Sequence, residues 1–195
     1  MGSQSAEQKK GILYAAGAYT MWGILPIYWK WVEEVPADEI LAHRIVWAFV
    51  FMLLVLGVTK RFRQFIGEFV NLFKRPKLLM SLTIASVLIS GNWFVYIWAV
   101  NHNHVIEASL GYYINPLISI LLGTVVLKEK LNFWQYVAVG LAGLGVIILT
   151  VRFGAIPWVS LSLALSFGLY GLTKKLLNYD ATIGLTMETM LVTPF

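Results

Sequence analysis

Residues 74–104 read KRPKLLMSLTIASVLISGNWFVYIWAVNHNH. Lys74, Arg75 and Lys77 open the stretch, and Asn101-His102-Asn103-His104 closes it as a polar turn. From Leu78 to Val100 no side chain carries a charge. A helix of that length, at about 1.5 Å per residue, crosses a hydrocarbon core of about 30 Å. The segment therefore predicts a membrane-spanning helix with a basic end and a neutral end.

The same unit recurs on both sides of it. Apolar runs cover Gly11 to Tyr28, Ile40 to Thr59, Val105 to Leu127, Leu131 to Val151 and Ile156 to about Leu172, and a seventh opens near Thr182. Of the 15 Lys and Arg residues, twelve fall on one side of this pattern: Lys9, Lys10, six between Lys60 and Lys77, Lys128, Lys130, Lys174 and Lys175. Lys30 and Arg152 fall on the other, and Arg44 lies inside a span. The positive-inside rule then places the N-terminus, residues 1–10, in the cytoplasm. The acidic loop with Glu33, Glu34, Asp38 and Glu39 falls outside. Leu-rich runs with little alternation predict helices and not a barrel, because a spanning backbone must satisfy its own hydrogen bonds. The fold class is all-α, a polytopic membrane helix bundle.

Composition agrees. The chain is 58% hydrophobic and 13% charged, with mean hydropathy +0.72, against about 25% charge in soluble domains. The net charge of +5 sits in short loops, so lipid bilayer and not nucleic acid is the implied partner. No cysteine is present, which removes thiol and zinc-thiolate chemistry. No phosphate-binding glycine loop or nucleophile elbow occurs, so the expectation is no enzyme, no catalytic residue and no cofactor. His102 and His104 lack a carboxylate cluster, and no metal site is expected. Between spans two and three, Phe62, Phe65, Ile66, Phe69 and Phe73 recur at helical spacing among basic residues, the pattern of a short interfacial helix.

Ionisable groups inside spans cost about 2.5–3.5 kcal/mol each and need a reason. His43 and Arg44 lie near the external end of the second span, and Glu107 near that of the fourth. One reading has Arg44 and Glu107 meet at the mouth of a central cavity; the other has each reach sideways to headgroups and water. Glu107, Gly111, Asn115 and Ser119 share a helix stripe beside Pro116, which suits a cavity wall, favoured by Glu107, or close helix packing. Trp22, Asn92, Trp93, Tyr96, Tyr112 and Tyr113 lie deep; Trp29, Trp31 and Trp158 read as interfacial belt residues. Small-residue stripes, Ser160-Ala164-Gly168 and Ala138-Ala142, permit close approach within one bundle or in a homodimer.

A weak internal echo adds topology. Shifted by 145 residues, Trp22-Gly23 meets Phe167-Gly168 and Lys30 meets Lys175; shifted by 144, Ala37 meets Ala181 and Leu41 meets Leu185. Five spans per copy would invert the second copy, as in many secondary transporters. A second copy would run to about residue 295, so the 195 residues read as a fragment.

Several stretches together resemble RarD-type proteins of the EamA family, within the drug/metabolite transporter superfamily: YTMWGILPIYWK (19–30), EILAHR (39–44), NWFVYIWAVN (92–101), EASLGYYINPL (107–117), LKEKL (127–131) and SFGLYGL (166–172). The resemblance covers nearly the whole chain. It implies a fold of ten helices in two inverted five-helix repeats. Residues 11–151 would form the first EamA-type repeat and 152–195 the truncated start of the second. It implies a bacterial inner membrane and export or uptake of small metabolites or drugs, and it makes Glu129 structural. The expected function is a secondary transporter of a small-molecule substrate, bound between the repeats. Trp22, His43, Arg44, Asn92, Trp93, Tyr96, Glu107 and Asn115 are the candidate substrate-binding residues. Arg44 would anchor an anionic group, the asparagines would supply amide contacts and the aromatics would cradle apolar parts. Glu107 and His43 are candidates for coupling to a proton, with a counter-substrate as the other option. The alternative is a non-transporting integral membrane assembly or sensor protein derived from part of a transporter fold.

Overall fold

Helix formation outruns the apolar boundary at the N-terminus. In the computed structural model, α1 spans Gly2–Trp31, nine residues longer at its start than the first apolar run. Ser, Gln, Ala, Glu and Lys are all compatible with a helix. The remaining elements are α2 (Ala37–Val58), α3 (Phe62–Phe73), α4 (Pro76–Asn101), α5 (Val105–Val126), α6 (Phe133–Phe153), α7 (Trp158–Leu177) and α8 (Ala181–Val192). The structure describes the backbone of residues 2–32, 34–154, 156–177 and 179–194, and side chains from residue 11 onward except 153 and 176. Glu33 and Ala155, expected in loops, lie outside the described residues, as do the side chains of Lys9 and Lys10.

Each apolar run became a helix, with ends set by local chemistry. Pro76 opens α4, where its missing N–H has no intrahelical partner to lose. Asn132 and Gln135 form a reciprocal capping box at α6, and Asp180 caps α8 through the Thr182 N–H. Gly154 ends α6 at φ 74°, a left-handed conformation that glycine adopts without strain. Among the described residues four helices are long and apolar enough to cross a membrane: α2, α4, α5 and residues Phe133–Arg152 of α6. The helices at the expected first and sixth spans, α1 and α7, are not among them. Their Gly, Ser, Tyr and Lys residues dilute the apolar content.

The short α3 is an amphipathic helix. Phe65 and Leu72 are buried, while Phe62, Ile66, Val70 and Phe73 are exposed. Its buried side joins Leu56, Leu82, Ala85, Ile183 and Met187 in one apolar cluster.

Central to the bundle is α4. It packs against α7 and α8, and also contacts α1, α2 and α5. The closest seam lies between α5 and α7. A Cβ on Gly111 of α5 would lie 3.1 Å from the Ser160 carbonyl oxygen and 3.1 Å from Leu163 Cβ. Ser160 and Ala164 are fully buried, and Gly168 faces Ile118 and Leu122. The α7 small-residue stripe is thus used within one chain. By contrast, Ala138 and Ala142 face outward, and none of the described residues of α6 is buried.

Polar contacts at the helix ends fall into the two groups that the charge count predicts. Lys30 donates to Asn103 Oδ1 at 3.0 Å, joining the α1–α2 and α4–α5 turns. At the opposite end Arg61 pairs with Asp180 at 2.9 Å, and Lys175 pairs with Glu129.

Candidate functional site

Arg44 sits about two turns into α2, among aromatic rings supplied by α1, α4 and α5. Its guanidinium carbon lies 4.2 Å from the Trp93 ring centroid and 5.5 Å from that of Trp29. Tyr112 is the hub of an aromatic chain: Trp22 and Tyr96 each meet it edge-on at 5.8 Å. Residues far apart in sequence thus converge because α1, α4 and α5 each bring rings to the same region beside α2. Among the described residues no carboxylate lies within ion-pair distance of Arg44. Cation–π contacts are its partners, which suits a charge held in an apolar setting.

Beside this cluster lies a cleft of about 470 Å³ between the end of α1 and the start of α2. Tyr28, Trp29, Val32, Val35, Ile40, His43, Arg44 and Trp47 line it. Trp29 is only 4% exposed, so its assignment to the interfacial belt is wrong. Its ring is drawn inward by Leu25, Ile40 and Ile97 of the apolar cluster, and its Nε1–H is buried without an acceptor.

Of the eight residues singled out in the sequence, Trp22, Arg44, Trp93 and Tyr96 come together here, with His43 on the cleft wall. The other three are placed elsewhere. Asn92 is 7% exposed and points to α7, where its amide donates to the Leu163 carbonyl at 2.9 Å and to Ser166 Oγ at 2.9 Å. Glu107 does not pair with Arg44. Its carboxylate takes His104 Nδ1 at 2.6 Å, three residues back, while its backbone carbonyl accepts from Ser160 Oγ at 2.6 Å. Asn115 is half-buried and accepts from Ser119 Oγ, one turn on, at 3.4 Å. The Glu107–Gly111 part of the polar stripe is therefore a packing seam against α7 and not a cavity wall.

His102 and His104 flank the Trp98 ring, stacked at 4.5 Å and 5.4 Å. Among the described residues no group of three His, Asp or Glu side chains is arranged to hold a metal.

Sequence reasoning passed over one intramembrane carboxylate. Glu188 of α8 is 2% exposed and accepts from Lys174 Nζ at 2.8 Å and from Tyr170 Oη at 3.0 Å. Lys174, counted among loop charges, is thus the half-buried partner of a buried acid. A lone Glu in the apolar run after Thr182 was the available signal. Glu188 and Trp93 border the same small gap, with Ile45, Ile89, Ser90 and Thr189.

Comparisons with known proteins bear on this arrangement. The profile of the EamA-like transporter family matches residues 9–151. The chain is 56% identical over 191 residues to the "Uncharacterized transporter YojE" of Bacillus subtilis, covering 98% of this chain and 64% of that protein. It is 45% identical over 188 residues to "Protein RarD" of Salmonella typhi, covering 96% and 63%, and 42% identical over 188 residues to "Protein RarD" of Escherichia coli, covering 96% and 62%. The chain thus spans a little under two thirds of the length of these curated relatives. No solved structure matches it. With a family profile over most of its length, apolar helices long enough to span a bilayer and RarD-named relatives along nearly all of it, this chain is a multi-pass membrane protein that belongs to the EamA-like transporter family, of the RarD type.

Proposed function

We propose that the chain is the solute-handling part of a secondary transporter for small metabolites or drug-like molecules in a bacterial inner membrane. Substrate contacts centre on Arg44, Trp93, Tyr96 and Trp22, with His43 at the edge. The observation that carries this reading is Arg44 itself. A guanidinium in an apolar helix, contacted by aromatic faces and by no carboxylate among the described residues, contributes little to packing that a leucine would not. Such groups inside membranes mark solute or ion pathways.

Inverted repeats complete the reading. Residues 11–151 form the first, and 152–195 begin the second. The second helix of each copy opens on the alanines that the sequence echo aligns, Ala37 and Ala181. Two groups of polar contacts at opposite bundle ends support the threading, with the basic end facing the cytoplasm. Asn92 and Glu107 act here as helix-packing residues, and Asn115 bonds within its own helix. Proton coupling, if carried by an acid of this chain, falls to Glu188, buried beside Trp93.

The test is flux in proteoliposomes against amino acids, nucleosides and amphipathic drugs. Saturable uptake of one class, reduced to background by Arg44→Ala in a variant that inserts normally, is the expected result. Normal flux in that variant ends the reading. Reporter tags at Asn103 and Arg63 should lie in opposite compartments.

A further inference from the structure

The cleft between α1 and α2 carries one fixed charge among its described lining residues, the cation of Arg44. Arg44 offers a planar fork of N–H groups, and its guanidinium carbon lies over the Trp93 and Trp29 rings at 4.2 Å and 5.5 Å. Those ring contacts give none of its N–H groups a hydrogen-bond acceptor, which leaves them open to one from a ligand. A second donor nearby is Trp29 Nε1–H, in the ring that also forms a cleft wall; it is buried and has no acceptor among the described residues. A buried donor without a partner is costly, and the half-buried Arg44 has no carboxylate partner among the described residues, so both leave an acceptor to be supplied. Among the described residues no Asp or Glu lines the cleft. His43 lines it as well, and the rest of the wall is aromatic or aliphatic: Tyr28, Trp47, Val32, Val35 and Ile40. A volume of about 470 Å³ lies within the range of small-molecule sites.

We propose that this cleft binds an aromatic monocarboxylate, its carboxylate bidentate on Arg44 and its ring between Tyr28, Trp29 and Trp47. The proposal rests on the transporter reading for its physiological role but not for binding itself. A cation would meet Arg44 without a counter-charge, and a neutral aromatic would leave the fork without its acceptor.

Equilibrium binding of benzoate, benzyl alcohol and benzylamine to the chain in phosphatidylcholine nanodiscs tests it. Benzoate should bind at least about tenfold more tightly than either analogue, a difference of about 1.4 kcal/mol. Arg44→Gln should abolish the preference, and Arg44→Lys should keep part of it, because the charge stays while the fork is lost. Comparison of the three ligands on the unaltered chain needs no variant to fold. Equal binding of all three, or a preference that survives Arg44→Gln, overturns the proposal. So does benzoate binding that disappears when phosphatidylglycerol replaces phosphatidylcholine, which assigns the cleft to an anionic lipid headgroup. Benzoate binding without flux of any solute would sink the transport reading alone. Flux of neutral or cationic solutes without benzoate binding would sink this inference alone.

Discussion

Two regions of this bundle treat polar side chains in opposite ways. Along the seam of α4, α5 and α7, the buried polar groups of Asn92 and Ser160 have protein partners. Asn92 reaches the Leu163 carbonyl and Ser166, Ser160 reaches the Glu107 carbonyl, and glycines let the backbones close in. Around Arg44, at the meeting of α1, α2, α4 and α5, donors face rings or nothing. Glycine behaves differently too: a Cβ on Gly111 meets backbone at 3.1 Å, whereas one on Gly23 of α1 meets nothing within 4 Å. In a bilayer the polar groups that hold helices together are the satisfied ones. Unsatisfied groups in the same apolar setting are retained for some other reason.

The largest expected effect breaks the seam. Gly111→Leu forces α5 and α7 apart against the Ser160 backbone and should cost about 3 kcal/mol, the upper range of overpacking. Unfolding in mixed detergent micelles with rising dodecyl sulfate measures it, with Gly23→Leu as a neutral comparison. Equal losses at both glycines would mean that the seam is not specially close. Next comes Asn92→Leu, which removes two hydrogen bonds to α7 and should cost about 1 kcal/mol. Third is Arg44→Leu. Its stability should stay within about 1 kcal/mol of the original, since lost cation–π contact is offset by the removal of a charge from the apolar region, while flux falls to background. A loss larger than that of Asn92→Leu would make Arg44 a packing residue and erase the contrast.

Much of the fold was legible in the sequence because a membrane leaves few choices. A run such as Leu78–Val100 between basic and polar turns can only be a helix, and the charge count separated the same two bundle ends that the contacts show. The site was half legible. Arg44 stood out because its charge is improbable at that depth, and Trp93 and Tyr96 because they are large and deep. Partner choice was not legible. Asn92 and Trp93 are adjacent in α4, yet about 100° apart around it, so one faces α7 and the other faces Arg44. Glu107 looked like Arg44's mate, but His104, three residues back, lies only about 60° away around the same helix and is already close. Trp29 read as a belt residue from its position near a span end, while its burial depends on where Ile40 and Ile97 come to lie. No one-dimensional pattern contains that information.

The smallest effect tests whether α7 and α8 are held by the seam or by charges at the bundle end. Arg61 donates a hydrogen bond to Asp180 and, with the backbone N–H of Thr182, holds that carboxyl below the usual carboxylate range. Because the folded-state value is the lower one, the contribution is complete above the ordinary carboxylate value of about 4 and is lost as pH falls through the depressed value. Asp180→Asn keeps the helix cap, since Asn caps as well as Asp, and removes only the ion pair. Its unfolding midpoint should lie slightly below the original at pH 7, and the two should converge at acid pH and at high salt, where an exposed pair is screened. A deficit at pH 7 as large as that of Asn92→Leu would mean that loop electrostatics hold the start of the second repeat in place, and the seam would lose its standing as the main fastening of α7.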